Sequence, residues 1–94
     1  MKHELVIYTM EDCSYCQDFK KLLKEADISF YDRDIYEHSK EYDMYCKITN
    51  TEYVPAIMLI KNVGKSNETT HFFAPTKDYE TIDEALVLVK KNIL

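Results

Sequence analysis

The pattern of apolar and polar positions changes its period along this chain, and the changes predict the first three elements. The run from Leu5 to Thr9 is apolar without strict alternation, which is typical of a strand covered on both faces. From residue 14 to residue 26 apolar side chains recur at helical spacing and charged ones fill the remaining positions, so a helix is predicted there. Residues 28–34 alternate, which predicts a second strand.

The second half of the chain begins with a less regular pattern. Residues 38–48 are charged and rich in tyrosine, with one apolar face, and they predict a second helix. A third strand is predicted over the apolar residues 56–60. The only glycine, Gly64, has asparagines on either side, which is typical of a hairpin turn into a fourth strand over residues 69–74.

The last helix is predicted from its start signal. Thr81 and Glu84 have the spacing of a capping box. The element order is therefore β-α-β-α-β-β-α, an α/β fold class with helices available for both faces of the sheet. The short first strand–helix–strand unit predicts a right-handed parallel crossover. Behind the capping box runs the apolar stripe Ile82, Ala85, Leu86, Val89 and Ile93.

Length and composition narrow the possible classes of protein. Ninety-four residues leave room for one core, so residues 1–94 are predicted to form a single domain. A formal net charge of −5 argues against nucleic acid or an anionic membrane as a partner. No apolar run approaches the ~20 residues that a membrane span requires.

The first residues bear on the compartment. Residues 1–4 lead directly into the first predicted strand and show neither the apolar region nor the cleavage site of a signal peptide. We therefore expect a cytoplasmic protein. In that reducing compartment cysteines are more often catalytic, metal-binding or buried than paired in structural disulfides.

The stretch Cys13-Ser14-Tyr15-Cys16 stands between the first strand and the first helix. Its spacing places the two sulfurs about one helical turn apart. Cys13 would lie at the helix N-terminus, where unpaired N–H groups and the helix dipole stabilise a thiolate. Cys16 would lie one turn inside, within reach of a mixed disulfide on Cys13. We predict a reversible dithiol–disulfide couple with Cys13 as nucleophile. The alternatives are an inert thiol or zinc ligand at Cys13 and simple core packing at Cys16.

Several motifs together resemble the thioredoxin fold and, within it, the glutaredoxins. The segment 13–16 is similar to the dithiol motif Cys-Pro-Tyr-Cys and its Cys-Ser-Tyr-Cys variant, and Tyr8-Thr9 resembles the end of the family's first strand. Tyr53-Val54-Pro55 resembles the family's Thr-Val-Pro, whose proline is cis. The resemblance covers nearly the whole chain. It implies a four-stranded mixed sheet and a thiol–disulfide oxidoreductase with glutathione as electron donor.

The resemblance also supplies the expected substrate contacts, although some family positions differ. Met10 stands where the family usually has a lysine, Tyr53 replaces a threonine, and the Gly-Gly that opens the last helix is absent. These differences concern the glutathione site and not the cysteine chemistry. The resemblance assigns Val54, Pro55, Thr81 and Asp83 to glutathione or substrate binding. Tyr15 lies between the two cysteines, where we expect it to be exposed and to pack against a bound peptide or glutathione; the alternative is a tyrosine that only fills the surface.

Two carboxylates, Glu11 and Asp12, come just before Cys13. Negative charge beside the helix start disfavours a thiolate and so favours the disulfide. We therefore predict a reduction potential nearer the thioredoxin end of the ~−200 to −270 mV range between glutaredoxins and thioredoxin. The alternative is that both side chains are merely solvated.

The third cysteine, Cys46, lies outside the motif and is predicted to be a buried thiol of the second helix. Glutathionylation or a role as third metal ligand are the alternatives. A structural zinc site normally requires four ligands, and the chain has three cysteines, so no metal site is predicted.

Three functions fit these observations. The first, which we predict, is a monomeric glutaredoxin-like enzyme that reduces protein disulfides or glutathione mixed disulfides, with ribonucleotide reductase as a client that the resemblance suggests. The second is a thioredoxin-like reductant recharged by a flavoprotein reductase. The third is a module that holds a [2Fe–2S] cluster between two subunits with glutathione, which the resemblance allows because Ser14 replaces the motif proline.

Overall fold

The predicted order of strands and helices is confirmed. A computed structural model describes residues 2–93, which form four strands and three helices. In chain order the elements are β1 (His3–Thr9), α1 (Ser14–Glu25), β2 (Tyr31–Asp34), α2 (Ser39–Thr49), β3 (Ala56–Lys61), β4 (Thr69–Phe73) and α3 (Ile82–Ile93).

The four strands form one mixed sheet in the order β2-β1-β3-β4. β1 pairs in parallel with β2, and the β1–β3 and β3–β4 pairs are antiparallel. Ile7 and Ile57 lie opposite each other in the two central strands, and neither side chain is exposed. With three helices packed on it, this sheet has the thioredoxin fold that the resemblance implies.

Separate cores lie on the two faces of the sheet, because side chains alternate along β1. Leu5 and Ile7 pack against α1 and α3, whereas Val6 and Tyr8 pack against α2. Each large aliphatic side chain buried in this way contributes roughly 1.5–3 kcal/mol. The buried residues that the helices supply are Phe19 and Leu23 of α1, Ala85 and Val89 of α3, and Tyr45 of α2.

The second strand begins later than predicted, at Tyr31 and not at residue 28. The chain leaves α1 through Asp27, which has a positive φ of 58°, and the Ile28 N–H then donates to the Leu23 carbonyl at 2.9 Å. Ile28 and Phe30 still pack against the core, so their alternation reflects burial. The alternation therefore predicted correctly that these side chains turn towards the core, but the backbone of residues 28–30 closes the end of α1 and does not join the sheet.

Candidate active site

The cysteine pair lies at the start of α1, as predicted. Cys13 is the N-cap residue, with φ −100° and ψ 107°, and its sulfur accepts a hydrogen bond from the Cys16 N–H at 3.1 Å. The two cysteines form a disulfide with a Cα–Cα distance of 5.2 Å. When the pair is reduced, the same N–H group and the helix dipole are in place to stabilise a Cys13 thiolate.

The two sulfurs differ in their access to a partner. Cys13 is 9% exposed and Cys16 is 0% exposed. Ser14 and Tyr15 between them are exposed. An incoming disulfide can therefore reach Cys13 first, and the buried Cys16 can then attack only the Cys13 sulfur of the resulting mixed disulfide. This asymmetry supports the assignment of Cys13 as nucleophile and Cys16 as the resolving cysteine.

A short turn carries the chain from β1 to the cysteine pair. The Cys13 N–H donates to the Met10 carbonyl at 3.2 Å, which closes the turn. Glu11 and Asp12 lie at the tip of this turn, and both residues are exposed to solvent. Water screens such charges, so their effect on the Cys13 thiolate is reduced. The reduction potential suggested by these two residues stays a prediction.

The loop before β3 lies beside the site. The Val54–Pro55 peptide bond is cis, as the resemblance implies. Pro55 is buried and Val54 is half-buried, whereas Tyr53 is 58% exposed. The hydroxyl of Tyr79 donates a hydrogen bond to the Pro55 carbonyl. This contact ties the loop to the segment that leads into α3.

A groove of about 730 Å³ is lined by the residues that were predicted to bind substrate. Its walls are the outer face of α1, the loop at residues 53–55 and the segment at residues 75–83. Three separate parts of the chain thus contribute to one surface next to the cysteine pair. All five predicted residues line it: Tyr15, Val54, Pro55, Thr81 and Asp83.

The groove also contains residues that sequence reasoning missed, and Tyr79 is the clearest. It is 6% exposed, and burial, with Asp78 nearby, raises the pKa of its phenol, so the hydroxyl remains a donor. Tyr79 lies in an irregular segment without periodicity, and its partner Pro55 is far away in sequence. The sequence therefore carries no local signal for this contact.

The capping box ahead of α3 is formed as predicted. The Glu84 N–H donates to the Thr81 hydroxyl oxygen at 3.1 Å. In return the Glu84 carboxylate accepts hydrogen bonds from the N–H groups of Thr81 at 3.0 Å and Glu80 at 2.8 Å. The N–H groups of Glu80 and Thr81 are therefore already paired with a carboxylate of the protein itself.

Two carboxylates fasten β2 to its neighbours. Asp32 accepts from the Thr9 hydroxyl at 2.6 Å and from Lys20 Nζ at 2.8 Å. Burial opposes ionisation of Asp32, but the hydrogen bonds from Lys20 and Thr9 outweigh it and lower the pKa of this carboxyl. The second carboxylate, Glu41 of α2, lies on the other face of the sheet.

Glu41 contacts three side chains, one from β1, one from β2 and one from the N-cap residue of its own helix. Its Oε1 accepts from the Tyr8 hydroxyl at 3.0 Å and from Arg33, and its Oε2 lies 3.0 Å from His38 Nδ1. Burial opposes ionisation here too, yet the hydrogen bonds from His38, Tyr8 and Arg33 lower the pKa of Glu41. In turn, burial and then Glu41 raise the pKa of Tyr8 to about 12.

Cys46 is a free thiol of α2, as predicted, but it is half-buried and not buried. Tyr45 and Thr49 occupy the buried side of α2, and Cys46 lies at the margin of that face. Within residues 2–93 no group of three or more His, Cys, Asp or Glu side chains is placed to hold a metal ion. Nor does this part of the chain contain a helix with the length and apolarity to cross a bilayer.

Comparison with known proteins bears directly on this site. A family model described as glutaredoxin matches residues 5–63, which is more than half of the chain. A comparison with curated proteins gave no match. The matched range includes both motif cysteines and the loop at residues 53–55, and it ends before the third wall of the groove. With its Cys13–Cys16 pair, the chain belongs to the glutaredoxin family as a thiol–disulfide oxidoreductase of the dithiol type.

Proposed function

We propose that this glutaredoxin reduces protein disulfides and glutathione mixed disulfides, and that glutathione returns it to the dithiol state. The observation that carries the proposal is the position of Cys13, accessible at the start of α1 beside the groove, with Cys16 buried behind it. Ribonucleotide reductase is one client that the family resemblance suggests. We further propose a cytoplasmic monomer, because a reusable dithiol is maintained in a reducing compartment.

Reduction of a protein client takes two exchange steps. The Cys13 thiolate attacks one sulfur of the client disulfide, whose S–S bond breaks, and the departing client thiolate takes a proton from water. The Cys16 thiolate then attacks the Cys13 sulfur and releases the second client thiolate, which also takes a proton from water. The protein has lost two electrons and holds the Cys13–Cys16 disulfide, and the client has gained two electrons and two protons.

Two molecules of glutathione complete the cycle. The thiolate of the first attacks the Cys13 sulfur, breaks the Cys13–Cys16 bond and leaves glutathione disulfide-bonded to Cys13. The second attacks the sulfur of the bound glutathione and releases glutathione disulfide and the Cys13 thiolate. The sum is one client disulfide and two glutathione converted to one client dithiol and one glutathione disulfide.

In this cycle the groove holds whatever chain is attached to Cys13. Tyr15 is 66% exposed and offers an aromatic surface next to the exchanging sulfur. Val54, Pro55, Thr81 and Asp83 line the same groove. These residues position the attached group, while both bond exchanges occur on the two cysteines.

A second candidate function is supported by a specific observation. The N–H groups of Glu80 and Thr81 are occupied by Glu84, which leaves fewer donors for a carboxylate of glutathione. Such a protein could instead be a thioredoxin-like reductant, recharged by a flavoprotein reductase that acts on the same Cys13–Cys16 disulfide.

One comparison separates the two. The oxidised protein is supplied with NADPH, glutathione and glutathione reductase, or with NADPH and thioredoxin reductase, and NADPH consumption is followed with an added protein disulfide. We expect glutathione to sustain turnover. Turnover with thioredoxin reductase alone would support the second function. Failure with both, together with a visible absorption band after anaerobic purification, would support the [2Fe–2S] module.

A further inference from the structure

We propose that the groove beside the cysteine pair selects cationic polypeptide segments, so that clients with lysine or arginine next to their disulfide are preferred over glutathione mixed disulfides. This inference rests on the proposed function and specifies its substrate class. The occupant is an extended segment of a client protein, held while its cysteine is bonded to Cys13.

The lining of the groove carries a net negative charge. Four carboxylates line it, and Lys21 is the one ammonium group among its described lining residues. Within residues 2–93 none of these four carboxylates has a hydrogen bond or ion pair from another side chain, so their charge is available to a partner. The four residues are Asp18, Glu25, Glu80 and Asp83.

The groove reaches the start of α3. Backbone N–H groups at a helix N-terminus form a common site for an anion. Here the N–H groups just ahead of the helix, those of Glu80 and Thr81, already bind the Glu84 carboxylate, at 2.8 and 3.0 Å. A glutathionyl group brings two carboxylates and one ammonium group, so it meets carboxylates and finds these donors occupied. A segment with lysine or arginine meets the same carboxylates with the opposite sign.

The walls of the groove also have an apolar, aromatic part. Tyr15 is 66% exposed and Tyr53 is 58% exposed, and both line the groove. Exposed aromatic faces bind the aliphatic stems of lysine and arginine, and their π systems attract the cationic ends. Charge and apolar surface therefore favour the same kind of side chain.

The test uses two short peptides as separate substrates, each a disulfide-linked homodimer. One peptide has lysine on either side of its cysteine, and the other has glutamate there. The kcat/KM ratio of the lysine peptide to the glutamate peptide is measured for the unaltered protein and for Glu80→Lys. The intrinsic reactivity of the two peptides cancels when the two ratios are compared. Glu37→Lys is the matched control, because Glu37 is exposed and does not line the groove, yet its replacement changes the net charge equally.

We expect Glu80→Lys to lower the ratio roughly fivefold and Glu37→Lys to leave it within about twofold, as exposed charge pairs of this kind allow. For the unaltered protein the ratio should fall as salt rises, since the Debye length shortens to about 3 Å at 1 M. We also expect Glu80→Lys to accept a glutathione mixed disulfide more readily. The milder Asp83→Asn should shift the ratio in the same direction and serves if Glu80→Lys does not fold.

The outcomes separate the two levels of the proposal. Equal ratios in the unaltered protein, Glu80→Lys and Glu37→Lys, with all substrates turned over, would overturn the selectivity of the groove and leave the oxidoreductase function intact. A shift in Glu37→Lys as large as that in Glu80→Lys would show an effect of net charge and would also overturn it. Failure to reduce any of the substrates would overturn the proposed function and this inference with it.

Discussion

Two regions of the molecule form the same site in different ways: the family-matched residues 5–63 and the segment at residues 75–83. The first supplies the cis-proline loop and the redox-active pair, in which a local contact runs from the Cys16 N–H to the Cys13 sulfur. The second supplies carboxylates, an occupied helix start and a buried tyrosine.

The difference between the regions separates chemistry from selection. Thiol–disulfide exchange requires only an accessible sulfur, a second sulfur one turn away and a way to stabilise the thiolate. All of these lie within one turn of α1. Selection of a partner depends on the wall that faces the sulfur, and this wall can vary without changes to the cysteines. Substitutions in the two regions are therefore expected to have different effects.

The largest effect is expected in the first region, at the nucleophile. Cys13→Ser should reduce turnover of every disulfide substrate to background, because no other sulfur is accessible at the start of α1. Cys16→Ser should still react with glutathione mixed disulfides, which need only Cys13, and should lose reduction of protein disulfides. Coupled NADPH consumption measures both. Cys46→Ser is the control and should stay active; its inactivation would contradict the assignment.

The next effect is expected where the two regions meet. Tyr79→Phe removes the hydroxyl that donates to the Pro55 carbonyl and leaves that carbonyl without this partner. We expect the free energy of unfolding to fall by about 1–3 kcal/mol, with kcat/KM lowered for peptide and glutathione substrates alike. Urea unfolding gives the stability, and an unchanged m-value shows that the midpoint shift reports stability.

Tyr31→Phe is the matched control for this prediction. Tyr31 is 54% exposed on the edge strand β2, and its hydroxyl has no protein partner within residues 2–93. We expect a change within about 0.5 kcal/mol, as for most surface substitutions. A loss of stability equal to that of Tyr79→Phe would argue against a specific role for the Pro55 contact.

A smaller effect is expected in the second region alone. Glu84→Ala releases the N–H groups of Glu80 and Thr81 and removes half of the capping box. We expect the KM for a glutathione mixed disulfide to fall roughly two- to tenfold, because donors become free for its carboxylate. The helix should lose about 1 kcal/mol of stability. A KM that rises would show that the capping box is needed for binding.

The smallest effect concerns pH and the carboxylates outside the groove. The pKa values of Asp32 and Glu41 are lowered in the folded protein, so their stabilisation is complete above their ordinary values of 3.8 and 4.5. It is lost as pH falls through the lowered folded values. Both side chains are about two-fifths exposed, and we therefore expect no more than about 1 kcal/mol from each.

The measurement for this prediction is urea unfolding as a function of pH. Asp32→Asn and Glu41→Gln should each flatten the loss of stability below pH 4.5, because the group that takes up a proton on unfolding is gone. Activity per folded molecule should be unchanged, since neither carboxylate lines the groove. A pH dependence identical to that of the unaltered protein would contradict the assignment.

Features that depend on neighbours along the chain could be predicted from the sequence. Apolar periods, together with turn and capping signals, predicted all seven elements, and the spacing of Cys13 and Cys16 predicted the redox pair at a helix start. Thr81 and Glu84 formed the capping box that their spacing predicted. Each of these signals works because the interacting groups lie within about one turn or one strand of each other.

Features that depend on distant parts of the chain became evident only in the folded protein. Residues 28–30 alternate like a strand but close the end of α1. Tyr79 lies in a segment without a pattern, and its hydroxyl finds Pro55 only because that segment folds back over the loop before β3. Asp18 and Asp83 face one groove because α1 and α3 pack on the same face of the sheet. Periodicity shows which side chains are buried, whereas the charge that a partner meets depends on which exposed surfaces the fold brings together.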